Sequence, residues 1–138
     1  MVRVELEIMD VENTLFPGLV SERTFTVLEE HNAAHIGSGA VRVLSTPSMI
    51  SFMEITARSM LDALLPETHS TVGVRVDVRH LAASPIGTQV RARAELLSVH
   101  GNRVTLSIEA WHEDTQIGAG QHERFVIEKE RFMRRVTA

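Results

Sequence analysis

Apolar residues fall into two rhythms along this chain, one of helical period and then several of period two. Met49, Ile50, Met53, Ala57, Met60, Leu61, Leu64 and Leu65 recur at spacings of three and four, which sets them on one stripe of an amphipathic helix. Thr46 offers a capping hydroxyl, Pro47 takes the first helical position and Pro66 closes the run, so a helix is predicted over 47–65. Upstream, 19–28 reads as extended, anchored by Phe25 and Val27, and 31–40 has the composition of a loop. The first 18 residues alternate apolar and charged positions (Val2, Val4, Leu6, Ile8) before Pro17-Gly18. They read as an N-terminal arm or an extra strand, leaving 19–138 as the single domain.

Everything after the helix alternates with period two. Val72, Val74, Val76, Val78 and His80 share one face of a strand over 71–81, opposite Arg75, Asp77 and Arg79. A second strand over 89–99 sets Val90, Ala92, Ala94 and Leu96 against Arg91, Arg93 and Glu95. His100-Gly-Asn-Arg103 fits a tight turn into a strand carrying Val104, Leu106, Ile108 and Ala110, and a last strand runs over 117–128. The predicted order is strand, helix, then four strands joined as a meander. One long helix packed on an antiparallel sheet makes an α+β two-layer domain with an exposed sheet edge, so self-association is expected.

Composition narrows the function. At 138 residues, 43% hydrophobic and 23% charged, the chain is an ordinary globular domain with no apolar run long enough to span a bilayer. Charges run through the apolar positions of Met1 to Ile8, so a secretory signal is not expected there. Cysteine is absent, which removes disulfides and thiolate chemistry and makes the cytoplasm the expected compartment. The net charge of −4 argues against nucleic-acid binding. All basic residues but Lys129 are Arg, which reflects either codon bias or a local cluster suited to a phosphate.

Two residues break the apolar pattern. Glu54 falls on the helix stripe beside Ile50, Ala57 and Leu61, where an ionised carboxylate costs several kcal/mol unless paired or protonated. A slightly rotated helix pairing Glu54 with Arg58 is the plainer alternative. His80 continues the inward face of Val72 to Val78, either as a satisfied core imidazole or as an acid/base group. A helix carboxylate and a strand imidazole that meet are suited to proton transfer near neutral pH. Thr46 serves as helix cap, and the helix N-terminus it marks is also where backbone N–H groups hold an anion or a thioester oxygen. His31 and His35 have metal-ligand spacing but no acid to complete a site, and no metal is expected. Gly37-Ser-Gly39 lacks the residues of a phosphate loop, and there is no nucleophile elbow. Trp111 and Phe125 read as packing.

The segments Thr46-Pro-Ser-Met-Ile-Ser-Phe-Met-Glu54 and Thr71-Val-Gly-Val-Arg-Val-Asp-Val-Arg-His80 resemble the fluoroacetyl-CoA thioesterase-like group of the hotdog-fold superfamily. The spacings of eight and 26 residues between Thr46, Glu54 and His80 are similar to that group's Thr/Glu/His set. Gly101-Asn-Arg-Val and Gly118-Ala-Gly-Gln-His-Glu-Arg124 look like its later strands, so the resemblance spans residues 19–132. It implies a hotdog domain acting as a homodimer, with sites at the subunit interface and Thr46, Glu54 and His80 catalytic. Gly73 would lend a backbone N–H near the acyl group, and Arg124 would lie near the site or the CoA. The fluoroacetyl-specific pattern has an aromatic lid residue six positions before the threonine; here that position is Ala40, so fluorine selectivity is not expected.

The expected activity is hydrolysis of a short or small acyl-CoA without any cofactor. Glu54 would attack the thioester or activate water, His80 would shuttle the proton, and Thr46 would orient Glu54 or the carbonyl oxygen. Ala57, Ala92 and Ala94 are small enough to leave an acyl cavity. The rival reading is a non-catalytic acyl-CoA-binding or sensing protein on the same fold.

Overall fold

The computed structural model describes residues 10–138; the alternation at Val2 to Ile8 lies outside the described residues. The described chain begins with a short helix α1 (Val11–Thr14), then strand β1 (Val20–Thr26), a 3-10 turn (Glu29–His31) and a short helix α2 (Ala33–Ile36). The long helix α3 (Thr46–Asp62) follows, then β2 (His69–His80), β3 (Gln89–His100), β4 (Arg103–His112), β5 (Thr115–Glu128) and a terminal helix α4 (Lys129–Thr137). The strands form one antiparallel sheet in the order β1-β3-β4-β5-β2, curved around α3. This is the expected α+β layering.

The meander expectation holds only for β3, β4 and β5. Their connections are tight turns, with Gly101 and Glu113 in left-handed conformation at φ 59° and 51°, as two-residue hairpins demand. β2 does not pair with β3; it crosses to the far edge and pairs with β5. The connection over 81–88 is too long for a hairpin and leads to β3 instead.

β2 also carries a bulge between Gly73 and Arg75. The extra residue reverses the phase of alternation, so the valines do not share one face. Thr71 and Gly73 face α3 before the bulge, and Val78 and His80 face it afterwards, while Val74 is 49% exposed.

Met49, Phe52, Met53, Ala57 and Leu61 of α3 pack on Val90, Leu96, Leu106 and Ile108 of the sheet, all buried. The stripe is rotated from the sequence reading toward Phe52 and Thr56, which are buried, while Leu64 is exposed. The N-terminal segment contributes Val11 and Leu15 to this core from a helical turn rather than a strand. Ala57, Ala92 and Ala94 are sealed inside the core, so they do not open a cavity. In α4, Glu128 caps the helix by accepting from Arg131 N–H at 2.8 Å. Among the described residues no helix is long and apolar enough to cross a membrane.

Candidate active site

The sequence Ser45-Thr46-Pro47-Ser48 contains two hydroxyls able to start α3. Ser45, not Thr46, is the cap: its Oγ accepts from Ser48 N–H at 3.0 Å. Thr46 is thereby released from capping, and its Oγ1 lies 2.8 Å from Nδ1 of His80. Pro47 has no N–H, and the N–H groups of Ser48 and Met49 both go to Ser45. The helix start therefore keeps little free donor capacity for a thioester oxygen beyond the Thr46 N–H itself.

Thr46 and His80 line a cleft of about 470 Å³ together with Gly39, Val41, Leu44 and Leu81. Ala40 lies exposed in the loop at its rim, between Gly39 and Val41, and presents no aromatic cover. Burial pushes His80 below the usual imidazole value, opposed in part by the backbone of Ala82. Its Nε2 is buried and makes no hydrogen bond among the described residues. A neutral imidazole held against a hydroxyl is equipped to accept a proton.

Glu54 is not in the core. Its side chain is 39% exposed, and it pairs with Arg124 rather than Arg58: Oε2 lies 3.4 Å from Arg124 Nη1. Arg58 instead pairs with Asp62 at 3.0 Å. Gly73 lies directly beside Glu54, since a Cβ there would stand 2.6 Å from Oε2. Within one chain, then, five of the expected residues fall into two groups, with Ala40 apart at the cleft rim. Thr46 and His80 form a pair, Glu54, Gly73 and Arg124 form a second cluster, and among the described residues Glu54 makes no hydrogen bond or ion pair with His80.

The imidazole that does approach Glu54 is His122, with Nε2 3.7 Å from Oε2. The sequence reading does not single it out, although Gly118, Gly120, His122, Arg124 and Val126 alternate on one face of β5. That alternation marks both His122 and Arg124 as inward, and both are buried. Burial also lowers the pKa of His122, with Arg124 adding to the effect while the Arg75 carbonyl and Glu54 oppose it. His31 is engaged elsewhere, its Nδ1 accepting from Leu28 N–H at 2.9 Å and its ring set edge-on to Phe52. Among the described residues no group of three or more metal-ligating side chains converges.

Residues 27–130 match the family described as fluoroacetyl-CoA-specific thioesterase. The chain is 35% identical over 94 residues to the fluoroacetyl-CoA thioesterase of Streptantibioticus cattleyicolor, covering 68% of each protein. A solved structure of a fluoroacetyl-CoA thioesterase superposes with a TM-score of 0.83 at 29% identity, covering 89% of this chain and 96% of that one. A hot-dog-like protein from Thermanaerovibrio acidaminovorans gives 0.84 at 28% identity, over 93% of this chain and 95% of its own. By sequence and by fold alike, the chain belongs to the fluoroacetyl-CoA-specific thioesterase family, hotdog-fold hydrolases of acyl-CoA thioesters.

Proposed function

We propose that this protein hydrolyses small acyl-CoA thioesters without selectivity for the fluoroacetyl group, using Thr46, Glu54 and His80. The observation that carries this reading is the 2.8 Å Thr46–His80 pair at an open cleft. Ala40, in place of an aromatic lid, supports the lack of fluorine selectivity. A related thioesterase variant has been crystallised with fluoroacetate and CoA, which favours the same ligand class here.

Glu54 either activates water or attacks the thioester carbonyl to give a mixed anhydride that water then opens. Both routes add water across the C–S bond and release a carboxylate and CoA thiol, with His80 passing the proton to the departing sulfur. Thr46 orients the imidazole, Gly73 gives the acyl group close approach to the backbone, and Arg124 steers Glu54. The chemistry needs no cofactor, because CoA belongs to the substrate. We assign the activity to the cytoplasm, where acyl-CoA is made and consumed.

A homodimer joins the two groups of residues. Among the described residues β2 is hydrogen-bonded on one side only, to β5, and its exposed Val74 and Val76 lie along the edge left open there. Antiparallel pairing of two β2 edges about a two-fold axis through Asp77, with the bulge residue Val74 left out of the ladder, sets Gly73 of one copy opposite His80 of the other on the same face. Glu54, lying against Gly73, then reaches the second copy's Thr46–His80 pair.

The test is release of free thiol from a panel that includes acetyl-, propionyl- and fluoroacetyl-CoA. Turnover of several short substrates, abolished in Glu54→Ala and His80→Ala, is expected. Tight acyl-CoA binding with no thiol release would make the protein a sensor instead. A rate on fluoroacetyl-CoA far above the rest would overturn the lack of selectivity.

A further inference from the structure

The Arg124 guanidinium is buried, with only 7% of its side chain exposed, and nearly all its donors have been given partners. Its Nε donates to Thr71 Oγ1 at 2.8 Å and Nη2 donates to the Thr71 carbonyl at 2.9 Å. Nη1 has two hydrogens. One faces Glu54 Oε2 at 3.4 Å and the other faces His122 Nε2 at 3.1 Å. The second contact is a hydrogen bond only if Nε2 carries no proton.

His122 meets that condition through its other nitrogen. Nδ1 lies 2.8 Å from the carbonyl oxygen of Arg75. A carbonyl has no proton to give, so Nδ1 must be the donor. A neutral imidazole with its proton on Nδ1 leaves Nε2 as an acceptor. Protonating Nε2 would set an N–H against an N–H of a buried cation. The charged groups around this cluster are Arg124 on β5, Glu54, Arg58 and Asp62 on α3, and Arg75 on β2. Of these, Arg124 lies nearest the imidazole and opposes a second positive charge.

We infer that His122 is a positioning residue, whose bare Nε2 turns the Arg124 guanidinium so that its remaining Nη1 hydrogen holds the Glu54 carboxylate. Thr71 fixes one side of the guanidinium and His122 the other. Gly73 keeps the space clear, since a Cβ there would crowd Glu54 Oε2, Arg124 Nη1 and His122 Cε1 at 2.6, 3.2 and 3.2 Å. The inference rests on the reading of Glu54 as catalytic and adds to it the device that aims the carboxylate.

Two substitutions separate the halves of the imidazole. In His122→Gln the amide oxygen reaches the Nε2 position and still accepts from Arg124. In His122→Asn the shorter amide reaches the Nδ1 position and serves only the Arg75 carbonyl. On the acyl-CoA thiol-release assay, His122→Gln is expected to keep kcat within about threefold of wild type, and His122→Asn to lose about 30-fold with KM nearly unchanged. In an Arg124→Gln background, His122→Asn should add less than about twofold, because it acts through Arg124.

Equal kcat in the Gln and Asn variants, with Glu54→Ala inactive, overturns this proposal alone. Full activity in Glu54→Ala overturns the catalytic reading beneath it. Nitrogen NMR of the wild-type imidazole gives a check that depends on no variant. A proton on Nδ1 and a bare Nε2 near about pH 7 support the inference, and the opposite tautomer or an imidazolium overturns it.

Discussion

Thr46 Oγ1 and His80 Nδ1 stand 2.8 Å apart, tying the first residue of α3 to the last residue of β2. The contact exists because Ser45 has taken over the capping of the helix. Two adjacent hydroxyls therefore take different partners, one capping the helix and one meeting His80, and substitution should separate the structural role from the proposed chemical one. Ser45→Ala is expected to cost about 1 kcal/mol of stability, lowering Tm by about 4 °C. Thr46→Ala should leave Tm nearly unchanged while reducing kcat by about 100-fold, and Thr46→Ser should restore most of it. Thermal melts beside thiol-release kinetics decide the matter; a large Tm loss in Thr46→Ala would return it to the role of cap.

Acid should weaken the protein through its buried imidazoles. Burial lowers the pKa values of both His80 and His122 below 6.5. Between those depressed values and the unfolded value the unfolded chain binds more protons, so stability rises with pH across that window. It is complete above about pH 6.5 and declines below it. Urea melts from about pH 8 to about pH 5 should show the decline, reduced in His122→Gln, which lacks one of the two groups. If His80 has the proposed role of a neutral base, the acid limb of kcat/KM should likewise fall below the usual imidazole range. Stability that is flat or rising toward acid would contradict the burial argument.

Much of the fold is legible in the sequence, and the failures have local causes. The i, i+3, i+4 spacing of Met49, Met53, Ala57 and Leu61 fixed α3, and β3 and β4 followed from unbroken alternation. The bulge at Gly73–Arg75 left no trace, because Val72, Val74, Val76 and Val78 keep alternating in sequence while the backbone changes phase beneath them. That is why His80 was placed correctly on the helix-facing side and Val74 was not. Ser45 and Thr46 are both good caps, and residue type alone does not choose between them. Glu54 is expected against His80, yet its polar contacts are Arg124 and His122 on β5, and it lies against Gly73 of β2 rather than His80. Alternation on β5 did carry the signal for His122, masked by the glycines before it.

Two glycines on neighbouring strands should answer differently to the same added methyl. In Gly73→Ala the new Cβ meets the end of a flexible side chain, Glu54 Oε2 at 2.6 Å. The carboxylate can swing away at little cost in stability, but its aim is lost. A fall in kcat of about 100-fold is expected with a small change in Tm. In Gly120→Ala the Cβ would meet backbone, the Asp77 carbonyl oxygen and Val78 Cα, so the β5–β2 pairing must open. That variant should lose several degrees of Tm or fail to fold. The pair is read by melting and kinetics together, and a reversed order would refute the assignment of Gly73 to the Glu54 pocket.

The proposed sharing of one site between two copies makes a quantitative demand. Glu54→Ala and His80→Ala homodimers should each be inactive. If the chains are mixed in equal amounts and allowed to exchange, half of the dimers carry one chain of each kind. In such a dimer, one site takes Thr46 and His80 from the Glu54→Ala chain and an intact Glu54 from the other. Its second site lacks both groups. Activity should therefore return to about one quarter of the wild-type rate. If instead each chain supplied its own complete set, every site in every mixture would lack one catalytic group and mixing would restore nothing. Lysine substitution of Val76 on the free β2 edge should block exchange and abolish both the dimer and the recovered activity. Sedimentation and thiol release on the same samples test the two consequences at once, and recovery by a monomeric Val76→Lys pair would exclude β2 as the joining edge.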